Sequence, residues 1–277
     1  MSRLAARIPK GSWCTHMHVV DPGTFPLDKA AQYTPSPHTL DEAKSFLGRL
    51  GIEKMVIVQP SIYADDNACT LDGLRQLGTT NGRAVKQFDP SATSQLQLQE
   101  WHDLGVRGVR LNFKSVGATP SGEELKQALR AYADVVRPFG CPLELYISLE
   151  NVPLVDAISH DLDDTKMVID HFAHPTAASL KGAKSAHEIE GFPSLLSLLQ
   201  KGTLGDSNDL IVESLCKEIL RARPDRCVFA TDWPHTRFED VAIAAYLEKI
   251  LDWIDEEGVS LSQVLVENAE ELFDARR

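Results

Sequence analysis

The chain has 277 residues, of which 43% are hydrophobic and 25% charged. That balance excludes a disordered, collagenous or fibrous chain and calls for a large core. The formal charge is −12 at pH 7, from 28 Lys and Arg against 40 Asp and Glu. Such an acid surplus argues against a nonspecific nucleic-acid binder and leaves room for a local basic pocket that takes a small anion.

Short β-rich runs alternate with longer helical patterns. Trp13–Val20 reads as a first strand, Leu40–Leu50 as an amphipathic helix ended by Gly51, and Lys54–Gln59 as a second strand closed by Pro60. Asn67–Leu77 is helical, Arg83–Phe88 a weaker third strand, Ser94–Leu104 a helix and Gly108–Phe113 a fourth strand. Ser121 and Glu124 have capping-box spacing at the head of a helix that runs to Val136. Leu143–Ser148 follows as strand five, Pro153–His160 as a short helix and Met167–Asp170 as strand six. Phe192–Leu199 and Asp209–Ala222 read as helices, Arg226–Thr231 as a late strand, and Ala242–Asp255 and Leu261–Leu272 as terminal helices.

Repeated βα units predict a parallel sheet under helical cover, and the length suits one (β/α)8 TIM-like barrel domain over residues 1–277. Polar residues gather just past the strands, which is where such barrels place their sites. The rival, an open doubly wound sheet, lacks a glycine-rich phosphate loop after strand one. Seven strands are visible. The interval before the last strand, LLSLLQKGTLGDSNDLIVESLCKEIL, holds no apolar β-run, so the barrel is expected to be distorted and strand seven missing from view.

Five cysteines, at 14, 69, 141, 216 and 227, form no CxxC pair, so neither a disulfide scaffold nor a structural zinc site is expected. MSRLAARIPKGSW lacks the apolar centre of a secretory signal, and no stretch approaches the roughly 18 apolar residues of a membrane helix. The expectation is a cytoplasmic protein with neither membrane nor nucleic-acid partners.

His16 and His18, two apart on a strand, share a face. Two imidazoles side by side suit a metal or a carbonyl oxygen. Asp232, after the apolar run CVFAT, can bind metal or accept a proton from water, and His235 stands beside it. His171 follows another apolar strand, with His174 next in order; Asp170 is expected to point away from the pocket. Arg110 and Asn112 share a strand face, and an inward arginine is a fork for a carboxylate. Tyr146 shares barrel-facing parity with Glu144 and Ser148, while Tyr33 and Ser61 are polar groups on loops or strand ends.

The HxH of strand one, QPSIYADDN (59–67), GVRGVRLNF (105–113), DHFAHP (170–175) and TDWPH (231–235), in this order, resemble the amidohydrolase superfamily in its amidohydrolase-related (amidohydrolase 2) branch. The likeness is greatest to the 2-pyrone-4,6-dicarboxylate lactonases and their fungal relatives. It spans the chain from His16 to the last helix. The resemblance implies a distorted barrel that hydrolyses a small carboxylated lactone. Asp232 would activate water, with His16, His18 and His171 around the carbonyl. Arg110, Tyr33, Ser61, Tyr146, His235, Asn112 and His174 would be candidates for binding an anionic substrate.

Metal-dependent relatives carry a strand-five histidine, where this chain has Tyr146 and Ser148. The expected cofactor is therefore none. The alternative is zinc held by His16, His18, His171 and Asp232, in a metal-dependent decarboxylase or hydrolase of a related aromatic acid. A degenerate, inactive barrel is the remaining reading. The chain also departs from the lactonase pattern in lacking a second arginine after strand four, where KSVGAT stands, and an arginine on strand seven.

Overall fold

A computed structural model describes residues 4–274 apart from 119, 176, 181–182, 184, 202–203, 208–212 and 236–242, and leaves aside the side chains of 177–178 and 204–207. Eight parallel strands stand in chain order around one sheet. They are β1 (Trp13–Met17), β2 (Lys54–Val58), β3 (Gly82–Lys86), β4 (Val106–Asn112), β5 (Leu143–Tyr146), β6 (Met167–Ile169), β7 (Leu204–Ser207) and β8 (Cys227–Phe229). The helices between and after them are α1 (Leu40–Leu50), α2 (Ala68–Asn81), α3 (Gln95–Leu104), α4 (Gly122–Val136), α5 (Val152–Ile158), α6 (Ala177–Leu180), α7 (Phe192–Gln200), α8 (Glu213–Ala222), α9 (Ile243–Glu256) and α10 (Asn268–Leu272). The ring is drawn shut between its first and last strands. Thr15 Oγ1 donates to the Phe229 carbonyl (3.0 Å), Asp232 N–H to His16 O (3.0 Å) and His18 N–H to Trp233 O (2.8 Å). The fold is a distorted (β/α)8 barrel.

Strand seven is present, short and without the apolar run that would make it recognisable in the sequence. Leu-Gly-Asp-Ser has low intrinsic β-propensity, and its pairing comes from both neighbours: Val168 and Ile169 of β6 stand beside Leu204 and Gly205, and Cys227, Val228 and Phe229 of β8 beside Gly205, Asp206 and Ser207. The predicted helix starts at Asp209 and Ala242 lie outside the described residues. The capping box of α4 forms as read: Glu124 N–H donates to Ser121 Oγ (3.3 Å), and Ser121 N–H returns a bond to Glu124 Oε2 (2.8 Å).

Side chains fill the barrel in levels. At the lower end Trp13, Val56, Val58, Val85, Val168 and Val228 form a dry cluster, closed from beneath by Ala269, Leu272 and Phe273. One level up, the inward positions turn polar. In β1 simple alternation from an inward Trp13 would send His16 outward. A bulge between Cys14 and Met17 shifts the parity, so Cys14 and Met17 join the core under the helices while His16 turns inward. All five cysteines are free and buried. No helix among the described residues is long and apolar enough to cross a membrane.

Candidate active site

The polar level is built from strand ends on opposite sides of the barrel. Inward alternation carries Arg110 on β4, Glu144 on β5 and Asp170 just past β6 to one height, each buried to within 3% of full cover. Arg110 Nη1 donates to the Gln59 carbonyl (3.0 Å), its Nη2 lies 3.4 Å from Asp170 Oδ2, and its Nε lies 4.0 Å from Glu144 Oε1. His16 Nδ1 stands 3.4 Å from Glu144 Oε1 and 3.8 Å from Asp170 Oδ1. The guanidinium is thus engaged inside the wall rather than held open as a fork toward the cavity.

Asp170 corrects the parity read from sequence. Val168 faces the barrel interior, so two residues on Asp170 must face it as well. His171 enters the same space by another route. The backbone turns left-handed at His171 (φ 53°) and stays so through Phe172, Ala173 and His174. Left-handed φ is unfavourable for residues with a Cβ, and such strain gathers at functional sites. Asp232 (φ 53°) and His235 (φ 59°) have the same conformation on the other side of the mouth.

Above this level the acceptors converge. His18 Nδ1–H donates to the Val58 carbonyl (2.8 Å), which fixes the tautomer and aims the Nε2 lone pair at Asp232 Oδ1, 3.5 Å away. His16 Nε2 lies 3.8 Å from the same oxygen. Burial, and next the Arg110 charge, push the His16 imidazole well below its ordinary range and keep it neutral. For Asp232 burial acts upward, but His171, His18 and His16 outweigh it and hold the carboxyl well below the usual carboxylate range. Two imidazole lone pairs and a carboxylate oxygen therefore face one point, which is an arrangement that a cation reconciles. The ligand atoms of His16, His18 and Asp232 lie within 4.8 Å of one another, as do those of His16, Asp170 and His171. Arg110 already neutralises Asp170 in the second group, so the first is the better cation set.

Around this centre the His171 ring lies 5.0 Å from His16 and 5.1 Å from Tyr146, and His174 lies 5.8 Å from Tyr146. His235 is half-buried and donates through Nε2 to the Thr231 carbonyl (2.6 Å); burial lowers its pKa. Asn112 Oδ1 accepts from Ser115 N–H (3.1 Å) and Oγ (2.8 Å) and so shapes the loop after β4. Ser61 opens a short turn after β2, and Tyr33 packs half-buried against the core.

The family model described as amidohydrolase matches residues 14–275. The chain belongs to the amidohydrolase family. A 4-sulfomuconolactone hydrolase of Hydrogenophaga intermedia is 30% identical over 246 residues, covering 84% of this chain and 78% of that one. A 2-pyrone-4,6-dicarboxylate hydrolase of Comamonas testosteroni is 28% identical, covering 84% and 80%. Among solved structures, a putative 2-pyrone-4,6-dicarboxylic acid hydrolase from Pseudomonas putida superposes with a TM-score of 0.77 at 23% identity, over 98% of this chain and all of that one. An amidohydrolase from Burkholderia multivorans with bound zinc shares the fold with a TM-score of 0.68 at 16% identity, over 95% and 99%. This amidohydrolase is accordingly a hydrolase of the lactonase-related branch.

The expectation of no cofactor is corrected. The strand-five histidine whose absence suggested it is not needed to complete a donor set. The β1 bulge and the post-β8 turn bring two imidazoles and a carboxylate together, and a protein of the same fold carries zinc in its solved structure. Glu144, Asp170 and Gln59 are the parts of the site that sequence reading left out. Their signal was strand parity: Glu144 with Tyr146, and Asp170 with Val168.

Proposed function

We propose that the protein is a metal-dependent hydrolase of a small carboxylated substrate of the aromatic-acid type, with a carboxylated lactone as the best candidate. The observation that carries this is the convergence of His16 Nε2, His18 Nε2 and Asp232 Oδ1. Neutral imidazoles and one carboxylate are a donor set for zinc or manganese. A metal held there supplies Lewis-acid polarisation of the substrate carbonyl and acidifies water.

The remaining assignments concern the chain itself. Asp232 stands where the two imidazoles converge, its Oδ1 3.5 Å from His18 Nε2 and 3.8 Å from His16 Nε2. It stays ionised and serves as a ligand that also orients the attacking water. Arg110, Glu144 and Asp170 hold the Nδ1 side of His16 and fix which face it presents. His171 stands across His16 and is suited to hydrogen-bond the carbonyl oxygen as it gains charge. Tyr146, His174 and His235 form the polar wall for the substrate carboxylate, with Tyr33, Ser61 and Asn112 on the loops around it. The names of the lactone-hydrolysing relatives support the substrate class.

The test is hydrolysis of a panel of carboxylated lactones and their open-chain aromatic-acid analogues, before and after chelation. Activity is expected to vanish with the metal and return when one equivalent of zinc or manganese is restored. Full turnover by metal-stripped protein would overturn the proposal.

A further inference from the structure

Outside the barrel wall, α2, α3 and the loop before α2 line an open cavity of about 430 Å³ at the end of β3. Lys86, the last residue of β3, lines it. Its neighbour Val85 faces the barrel interior, so alternation sends Lys86 outward under the helices. The residue is only 1% exposed. Its Nζ lies 2.9 Å from the centre of the Trp101 ring, and among the described residues no carboxylate comes within ion-pair distance of it.

A buried lysine is ordinarily paired. Here the charged group that Lys86 feels is a second cation, Arg75 of α2, which lines the same cavity. Three acids share the lining, and two of them are engaged along α2. Asp66 Oδ1 accepts from the Ala68 N–H (3.0 Å), and Asp72 Oδ2 accepts from Gln76 (2.7 Å). Asp65 lies exposed on the loop beside them. Phe25 and Leu71 add apolar wall.

We propose that this cavity is a second ligand site, separate from the barrel mouth, which takes a small monocarboxylate with an apolar body and sets its charge between Lys86 and Arg75. Binding is linked to a proton. Burial, with Arg75 adding to it, pushes the Lys86 amine down to about 7, whereas an anion needs the ammonium form. Affinity is therefore full below pH 7 and falls by about tenfold for each further pH unit above it.

The test follows the Trp101 indole N–H by NMR in the intact protein, its signal assigned with Trp101→Phe, during titration with benzoate and with neutral benzamide. Benzoate is expected to move the signal saturably at pH 6 and benzamide not to. Lys86→Met should weaken binding about tenfold or more, and Arg75→Met several-fold, with hydrolytic turnover unchanged in both. Arg75 is exposed, so its variant keeps the comparison usable if Lys86→Met fails to fold. An unmoved Trp101 signal at pH 6, equal binding of benzamide, binding that survives both substitutions, or binding indifferent to pH between 6 and 9 would each overturn the proposal.

Discussion

The barrel buries an arginine at each end, and the two are used in opposite ways. At the lower end Arg83 donates to the carbonyls of Phe273 (3.1 Å), Gly82 (2.8 Å), Asp274 (3.1 Å) and Thr79. Every partner is a neutral backbone oxygen, and the bonds tie the C-terminal helix under the barrel. At the upper end Arg110 meets two carboxylates and one carbonyl, beside three imidazoles and a third carboxylate. At the lower end the Arg83 guanidinium is served by backbone carbonyls, although the buried Trp13 Nε1–H finds no hydrogen-bond partner among the described residues. The upper end holds more acceptors than its own protons can serve, on a backbone with six left-handed residues that carry side chains among those described.

Substitutions at the two ends should separate these roles. The largest effect is expected from Asp232→Asn, which removes the shared anionic ligand. Turnover should fall by about 10²–10⁴-fold and bound metal should be lost, with thermal unfolding of the metal-free proteins little changed. Near-parental turnover would place the chemistry elsewhere. Phe273→Ala at the lower end should do the reverse. Deleting a ring that is 1% exposed should cost about 3–5 kcal/mol in denaturant unfolding while kcat stays close to parental. A matching loss of kcat would show that the two ends are not independent. The smallest effect is expected from Glu144→Gln, which weakens the hold on His16 Nδ1 without removing a ligand. Metal affinity should drop about 10- to 100-fold, read by competition with a chromogenic chelator. Unchanged affinity would deny Glu144 its positioning role.

Much of this was readable from residue order. The paired histidines share a strand face, His171 and Asp232 sit past apolar runs, and the βα rhythm points to the barrel. Three things were hidden, each for a physical reason. β7 was hidden because Gly, Asp and Ser carry no strand signal and are drawn into the sheet by their neighbours. The inward Asp170 was hidden because parity was counted from His171, which reaches the site by a left-handed turn rather than by alternation. The metal ligands His16, His18 and Asp232 were legible as the alternative, but the choice of a metal over none was hidden because it depends on which way the His18 ring points. That is decided by the Val58 carbonyl, 40 residues away in the chain.

The bonds that close β8 onto β1 also set a timetable. His16 and His18 leave the ribosome early, while Asp232 belongs to the last strand, and the carbonyl that Thr15 needs, that of Phe229, is 214 residues further on. No nascent chain that ends before β8 can own the complete donor set. Metal capture during synthesis would thus report ring closure rather than the appearance of the histidines. A contact of such long range is slow to form, so closure of β8 onto β1 is expected to come late in folding.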